Sequence, residues 1–249
     1  MTEKLIRLAK RIALTGDYSR RGADILVSDG RVTVNGETAL IGAKVTADGN
    51  EVILVDGKPL GRSDKSVYIF YKPRGILSSY RDPHNKKDLS LFPELARRKL
   101  GYSGRLDRDS EGLMLFTGDG GLIYRIQRKE FRVEKEYDVT TDKELGKAWL
   151  NRLKNGWKLG ECALLPCRIE QSGAKRYSVT LVEGKKRQIR RMFKAAGANV
   201  ERLIRVRVGG ITISGLKEGE LRKLSEEEVK TLLDREQPPF TEGNFSPLR

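Results

Sequence analysis

The chain has 249 residues, enough for one large domain and a small one, and its net charge of +15 favours a polyanionic partner over a merely basic soluble protein. No apolar run approaches the roughly 18 residues of a membrane span, and residues 1–11 lack a signal-peptide core, so we expect a cytoplasmic protein without a membrane partner. One histidine and two cysteines, Cys162 and Cys167, are too few for a usual four-ligand zinc site, and the single histidine argues against a histidine-based triad. We therefore expect no metal and two half-buried thiols.

Residues 1–56 are predicted to form a small first unit of helices and short strands. Apolar spacing over 5–12 predicts a first helix with Gly16 as its stop, and a second helix is predicted from a Ser19 N-cap to Gly30. Residues 31–36 then combine an alternating strand with an Asn-Gly pair, which is typical of a hairpin turn.

Arg20 and Arg21 fall in the first turn of that second helix, where the helix dipole disfavours cations. A bound phosphate would reverse this effect, because it pairs with both the helix N-terminus and the guanidinium groups. The alternative is two solvated arginines. The pattern of residues 19–21 and 30–36 resembles the small RNA-binding module of ribosomal protein S-four and tyrosyl-tRNA synthetases. That resemblance implies that Arg20 and Arg21 contact the RNA backbone.

Residues 57–66 are predicted to be a linker, because they are rich in glycine, proline and charge. This linker leads to a second predicted unit over residues 67–235. Residues 1–65 carry a net charge of +2, whereas the rest of the chain carries +13. The larger unit is therefore expected to supply most of the field that attracts a polyanion.

The second unit opens with a predicted strand at 67–71, followed by the turn Lys72-Pro73-Arg74-Gly75. Its most informative stretch is Gly104-Arg105-Leu106-Asp107, which precedes an apolar run at 113–116 that is typical of a buried strand. If residues 104–107 are extended, Arg105 and Asp107 share one side of the chain and Leu106 faces the core. The alternative is a surface turn with a solvated ion pair.

Residues 134–139 alternate in the manner of a strand that puts Tyr137 and Val139 on one face, where a tyrosine is usually a core residue. Helical apolar spacing over 189–196 predicts an amphipathic helix, with Arg190 off its apolar stripe and near its start. A basic cluster precedes this helix and consists of Lys185, Lys186 and Arg187.

Residues 181–210 carry a net charge of +7, which is an electrostatic footprint for nucleic acid. Within them, residues 203–208 are predicted to form a strand whose basic side chains point outward. An acidic helix with a Ser225 capping box is predicted over 225–235, and residues 236–249 are predicted to be a mobile tail.

Three stretches together resemble the motifs of the pseudouridine synthases that act on ribosomal RNA. They are Gly104-Arg105-Leu106-Asp107 with the glycine- and leucine-rich run after it, Lys135-Glu136-Tyr137-Asp138-Val139, and Glu183-Gly184 followed by Gln188-Ile189-Arg190-Arg191-Met192. The resemblance implies that Asp107 is the catalytic aspartate, that Tyr137 packs against the target base, and that Arg190 pairs with Asp107. It also implies that the uridine flips out of its helix or loop, with Arg105 and the basic cluster at 185–187 binding RNA.

The same resemblance implies an α+β fold, with a small α/β RNA-binding module and a catalytic domain built on a mixed, mostly antiparallel sheet flanked by helices. It implies a monomer that needs no cofactor, with ribosomal RNA or a ribosomal subunit precursor as partner and large-subunit RNA slightly favoured. Attack of Asp107 on the sugar and removal of a ribose proton both stay open. The rivals are a catalytically silent ribosome-assembly factor and a glycoside-cleaving enzyme, which would need a second carboxylate such as Asp109.

Overall fold

The computed structural model describes residues 5–15, 17–46, 51–61, 65–80, 82–98, 100–159 and 162–233. Gly16, the predicted stop of the first helix, lies outside these ranges, and so does the predicted tail at 236–249. Helices and a mixed, mostly antiparallel sheet make up the described part, which confirms the predicted α+β fold.

The described residues of the first unit form two helices and two small sheets. Its elements are β1 (Leu5–Arg7), α1 (Leu8–Ala13), α2 (Arg20–Ser28), β2 (Val32–Val34), β3 (Glu37–Thr38), β4 (Lys44–Thr46), β5 (Ile53–Val55) and β6 (Lys58–Pro59). Strands β1 and β4 form one sheet, and the other has the order β3-β2-β5-β6. Strand β6 lies within the segment predicted as a linker.

Of three local predictions in this unit, two are confirmed and one is wrong. The Ser19 N-cap is confirmed, because its side chain accepts a hydrogen bond from the Gly22 amide. The Asn35-Gly36 turn is confirmed, since both residues have positive φ and join β2 to β3. The helical prediction for Leu5 is wrong, because Leu5 pairs with Thr46 across β1 and β4.

The second unit is organised around a nine-stranded sheet. The strands of this unit, inside and outside that sheet, are β7 (Val67–Lys72), β8 (Gly101–Ser103), β9 (Glu111–Thr117), β10 (Lys135–Thr141), β11 (Trp157–Leu159), β12 (Cys162–Leu164), β13 (Arg168–Gly173), β14 (Arg176–Leu181), β15 (Val200–Val208), β16 (Ile211–Thr212) and β17 (Leu221–Lys223). Its helices are α3 (Pro93–Arg98), α4 (Gly120–Gln127), α5 (Lys147–Lys154), α6 (Gln188–Ala195) and α7 (Glu226–Thr231). The main path of the sheet is β13-β14-β10-β15-β9-β7-β17, with β8 on β9 and β16 on β15, while β11 and β12 pair separately.

Strand β9 is buried on both faces, as its continuous apolar sequence predicts. Because alternate residues of a strand face opposite sides, Met114 and Phe116 join one hydrophobic cluster and Leu113 and Leu115 another. Strand β9 is therefore held in place on both faces by the core. The segment that precedes β9 consequently has a rigid support.

Strands β9 and β15 pair in parallel, and this pairing depends on a glycine. Gly112 lies opposite Arg205, with φ of +111°, and a Cβ atom at this position would lie 2.6 Å from the Arg205 amide nitrogen. Only glycine allows the two backbones to approach this closely.

The capping box of Ser225 and Glu228 at α7 is also confirmed, although the helix ends earlier than predicted.

Candidate active site

Asp107 lies in the loop between β8 and β9, directly before the fully buried strand. Leu106 is buried, whereas Arg105 is exposed and Asp107 is half-buried, so the predicted alternation along this segment is confirmed. The Ser78 hydroxyl donates to the Leu106 carbonyl at 2.7 Å and accepts from its amide at 3.1 Å. This double contact fixes the residue that precedes the carboxylate.

A buried lysine, Lys72, also holds this loop in place. Lys72, at the end of β7, is fully buried and its Nζ donates to the carbonyls of Ser110 and Pro73. Burial lowers the pKa of Lys72 to about 8, although the nearby carboxylates of Glu111 and Asp109 oppose this effect. The turn that follows Lys72 also contacts the loop, since the Gly75 amide donates to the Arg108 carbonyl.

Asp109, two residues after Asp107, is held by two arginines of the α6 region. Arg187 donates to both of its carboxylate oxygens at 3.0 Å, and the Arg190 Nε lies 3.2 Å from one of them. Burial alone would raise the pKa of Asp109, but the hydrogen bond from Arg187 and the charge of Arg190 lower it. Asp109 is therefore an ionised anchor between the loop and α6.

The direct carboxylate partner of Arg190 in this structure is Asp109, and Asp107, its predicted partner, attracts Arg190 only at longer range. Arg190 is largely buried, and besides its ion pair with Asp109 it donates to the Asp109 carbonyl, the Ser110 hydroxyl and the Val200 carbonyl. Asp107 instead has Arg187 as its ion-pair partner, at 3.8 Å. The reason is geometric, because the buried Arg190 reaches the base of the loop while the exposed Arg187 reaches its outer side.

Asp107 and Tyr137 line the same cavity, which has a volume of about 600 Å³. Tyr137 lies on β10 opposite Val179 of β14 and Arg205 of β15, and it is buried except for the part that faces the cavity. The remaining apolar wall consists of Leu181, Ile189 and Leu203. A carboxylate beside a tyrosine and an apolar wall suits a flat, uncharged ring next to a sugar.

Basic side chains surround the mouth of this cavity. Arg74, Arg108, Lys186 and Arg187 border a shallower depression that also includes Asp107. Arg105 and Lys185 line the main cavity as well. Lys185 is partly engaged in the fold, because its Nζ contacts the Ala163 carbonyl and lies 3.3 Å from Glu183. The predicted RNA-binding residues of the second unit thus lie together around Asp107.

Arg20 and Arg21 do not line that cavity. Both are exposed in the first turn of α2, as predicted, and this turn carries no acidic residue. A contact of these arginines with RNA is compatible with their exposure and stays a prediction.

Arg205 is the residue at this site that the sequence prediction placed wrongly. The basic residues of 203–208 were expected to point outward, yet Arg205 is only 4% exposed and its Nε donates to the Leu113 carbonyl. Arg207, on the opposite face, forms ion pairs with Glu134 and Glu136. The sequence signal for the inward position was the strand period, because Arg205 lies two residues from the apolar Leu203. Arg207 lies on the other face despite the same spacing, because the register between β10 and β15 shifts at Glu136 and Tyr137.

Within the described residues, no cluster of three potential metal ligands occurs, and no helix is long and apolar enough to cross a bilayer. Cys167 is more buried than predicted, and burial raises the pKa of its thiol to about 12. The Cys162 side chain lies outside the described part of the chain.

Comparison with known proteins identifies relatives along almost the whole chain. The family model described as RNA pseudouridylate synthase matches residues 66–195. An uncharacterised RNA pseudouridine synthase of Aquifex aeolicus is 38% identical over 234 residues, which cover 91% of this chain and 96% of that protein. The ribosomal large subunit pseudouridine synthase B of Bacillus subtilis is 34% identical and covers 91% of this chain and 95% of its own.

Two further relatives differ in what their names specify. A dual-specificity RNA pseudouridine synthase of Salmonella typhi is 33% identical over 92% of this chain and 79% of its own length. A crystal structure of a pseudouridylate synthase superposes with a TM-score of 0.65 at 28% identity, covering 91% of this chain and 99% of that one.

Proposed function

Because this chain belongs to the RNA pseudouridylate synthase family and is an RNA pseudouridine synthase, we propose that it isomerises a specific uridine of ribosomal RNA with Asp107 as the catalytic carboxylate. The observation that carries the proposal is the single cavity lined by Asp107 and Tyr137 and bordered by basic residues. Its volume, about 600 Å³, is within the usual range for a small-molecule site and accommodates one nucleotide.

The choice of ribosomal RNA follows from the named relatives and from charge. The Bacillus subtilis relative is named for the large ribosomal subunit, so large-subunit RNA is the proposed substrate class. The excess of basic residues in the second unit supports a polyanionic substrate, since residues 66–249 carry a net charge of +13.

In the proposed reaction, the uridine leaves its stack and enters the cavity, where Tyr137 packs against the base. The N1–C1′ bond breaks, the uracil turns, and a bond forms between C5 and C1′, while the C5 proton is lost and N1 gains one. Asp107 either adds to C1′ or takes a ribose proton to give a glycal. Both routes need one carboxylate that can approach the sugar, and Asp107 is half-buried and lines the cavity together with Tyr137.

Asp109 argues against the glycoside-cleaving rival. Such an enzyme needs a carboxylic acid whose pKa is raised so that it can protonate the leaving group. The two arginines that contact Asp109 lower its pKa instead. Asp109 is therefore proposed as a structural anchor rather than as a second catalytic carboxylate.

The N-terminal unit, residues 1–56, is proposed as an RNA-binding module joined by the segment 57–66 to a catalytic domain over 67–235. Its own hydrophobic cluster, which includes Leu8, Ile12, Val32 and Val55, supports a separate unit. Arg20 and Arg21 are its proposed RNA contacts.

The test is to map pseudouridine in ribosomal RNA from cells that lack the gene and from the same cells complemented with the parent or with Asp107→Asn. We expect one or a few pseudouridines to disappear, to return with the parent and to stay absent with Asp107→Asn. Restoration by the Asn variant would exclude Asp107 as the catalytic group. An unchanged pseudouridine map with defective ribosome assembly would support the silent assembly factor.

A further inference from the structure

A second cavity, of about 400 Å³, adjoins the catalytic cavity at Tyr137. The two cavities share three residues of their walls, Arg105, Tyr137 and Gly184. A substrate that fills the first cavity therefore has the second one as its immediate neighbour. No step of the proposed reaction uses this second cavity.

Two buried cations form the inner wall of the second cavity. Lys135 and Arg205 are 8% and 4% exposed, and both line it. They share one face of the sheet, because Lys135 lies two residues before Tyr137 on β10 and Arg205 is the cross-strand partner of Tyr137 on β15. Burial, and after it the charge of Arg205, lower the pKa of Lys135 to about 8. Two cations thus repel one another in a poorly hydrated place.

The carboxylate nearest to this wall is already engaged elsewhere. Glu183 accepts hydrogen bonds from the Leu165 amide and the Gln188 side chain, and it pairs with Lys185 at 3.3 Å. The negative charge of Glu183 is therefore partly balanced by Lys185, a third cation. The inner wall keeps an excess of positive charge that the described residues do not neutralise.

Two donors at the same wall have no hydrogen-bond partner within the described residues. They are Nη2 of Arg205 and the Ser103 hydroxyl, both fully buried atoms. A buried donor without a partner costs about 1–3 kcal/mol, so such groups usually meet a ligand, ion or water. Gly104, which also lines the cavity, lies beside the Arg205 guanidinium, where an added Cβ atom would be in van der Waals contact with Nη1 at 3.7 Å.

We propose that this second cavity is a subsite for a phosphodiester group of the RNA next to the flipped uridine, with Lys135, Arg205 and Ser103 as its donors. The proposal rests on the proposed function, because it takes the substrate to be RNA whose target base occupies the Asp107 cavity. A phosphodiester supplies one negative charge and several acceptor oxygens, which match two cations and a hydroxyl. RNA carries such a group on each side of every nucleotide, so one phosphate is always close to the flipped base.

Lys135→Met is the decisive variant, because it keeps the length of the side chain and removes its charge. The Lys135 ammonium donates to the Ile126 carbonyl, but it also suffers the repulsion of Arg205. We expect the melting temperature to stay the same or to rise. The affinity for a large-subunit ribosomal RNA transcript should fall about fivefold to tenfold, and the slope of log affinity against log salt should decrease by about one.

Ser103→Ala is the second variant, and it removes a buried hydroxyl that has no partner in the described structure. Its melting temperature should not fall, whereas its RNA affinity should fall about threefold. Lys143→Met, which removes an exposed lysine just beyond the far end of β10, is the matched control for a lost charge and should keep the parent affinity within about twofold.

The outcomes separate this subsite from the proposed function. If the parent binds the transcript but forms no pseudouridine, the proposed function fails, and the binding losses of the two variants still test the subsite. If Lys135→Met lowers the melting temperature and leaves affinity and salt slope unchanged, Lys135 is structural and the subsite is excluded. If inorganic phosphate stabilises the parent but not Lys135→Met, while RNA affinity is equal in both, the cavity takes free phosphate and the RNA subsite is excluded.

Discussion

Arg187 and Arg190 contact the same carboxylate but differ in exposure, at 43% and 10% for their side chains. Arg190 has its donors directed to the loop and to Val200, so Arg190→Ala should disturb the position of Asp107. Its single-turnover rate should fall at least tenfold, a barrier change of about 1.4 kcal/mol, with RNA affinity within about threefold of the parent.

Arg187→Ala should show the opposite pattern, because an exposed guanidinium near Asp107 is free to exchange its carboxylate for an RNA phosphate. Its affinity should fall and its salt slope should decrease by about one, with a smaller effect on the single-turnover rate. Rates at saturating enzyme and affinities at several salt concentrations distinguish the two roles. Equal losses of rate and affinity in both variants would mean that the arginines act as one unit.

Lys72 leads to a prediction about pH. Since burial lowers its pKa from 10.5 to about 8, the unfolded chain keeps the proton to a higher pH than the folded protein does. Stability contributed by this group therefore rises as the pH increases from 8 towards 10.5. The free energy of unfolding of the parent, relative to Lys72→Met, should increase by about 2 kcal/mol between about pH 8 and about pH 10.

Urea unfolding at a series of pH values measures this difference, with the exposed Lys143→Met as the control that should show none. A parent-minus-variant difference that stays flat across this range would mean that Lys72 keeps an ordinary pKa beneath the loop.

At the scale of elements, the contact of β9 with β15 depends on Gly112. Gly112 and Gly42 both have positive φ, +111° and +84°, but only Gly112 has another backbone against it, since space around Gly42 is open. Gly42→Ala should cost about 1 kcal/mol from backbone strain alone. Gly112→Ala should cost more than about 3 kcal/mol or prevent folding, because the strands must separate. Similar melting temperatures for both variants would show that β9 and β15 adapt to the extra methyl group.

The elements were predictable where the signal is local, and the site was predictable only in part. The Ser19 cap, the Asn35-Gly36 turn and the buried strand β9 follow from neighbouring residues. The partner of Arg190 and the inward position of Arg205 depend on which residues lie opposite across strands and loops. The helical prediction for Leu5 was wrong for the same reason, because pairing with Thr46 across the two strands overrides the helical spacing.

At the scale of the whole molecule, the two proposed units divide charge unequally, with +2 before residue 66 and +13 after it. A module with so little net charge is expected to bind RNA through a few placed contacts rather than through its field. Arg20 and Arg21, exposed at the start of α2, are the best placed for this, because the helix N-terminus adds to their attraction for a phosphate.

Replacing Arg20 and Arg21 together by alanine should therefore weaken binding to structured RNA to a similar extent across sequences and lower the salt slope by about two. The matched control replaces Lys44 on β4 and Lys58 on β6, two exposed lysines, and removes the same charge away from the helix start. Because Asp107 and Tyr137 belong to the other unit, the single-turnover rate at saturating enzyme should stay within about threefold of the parent. An equal loss of affinity in both double variants would mean that the module acts through its general field. A saturating rate that fell more than about tenfold would mean that the module helps to shape the catalytic cavity.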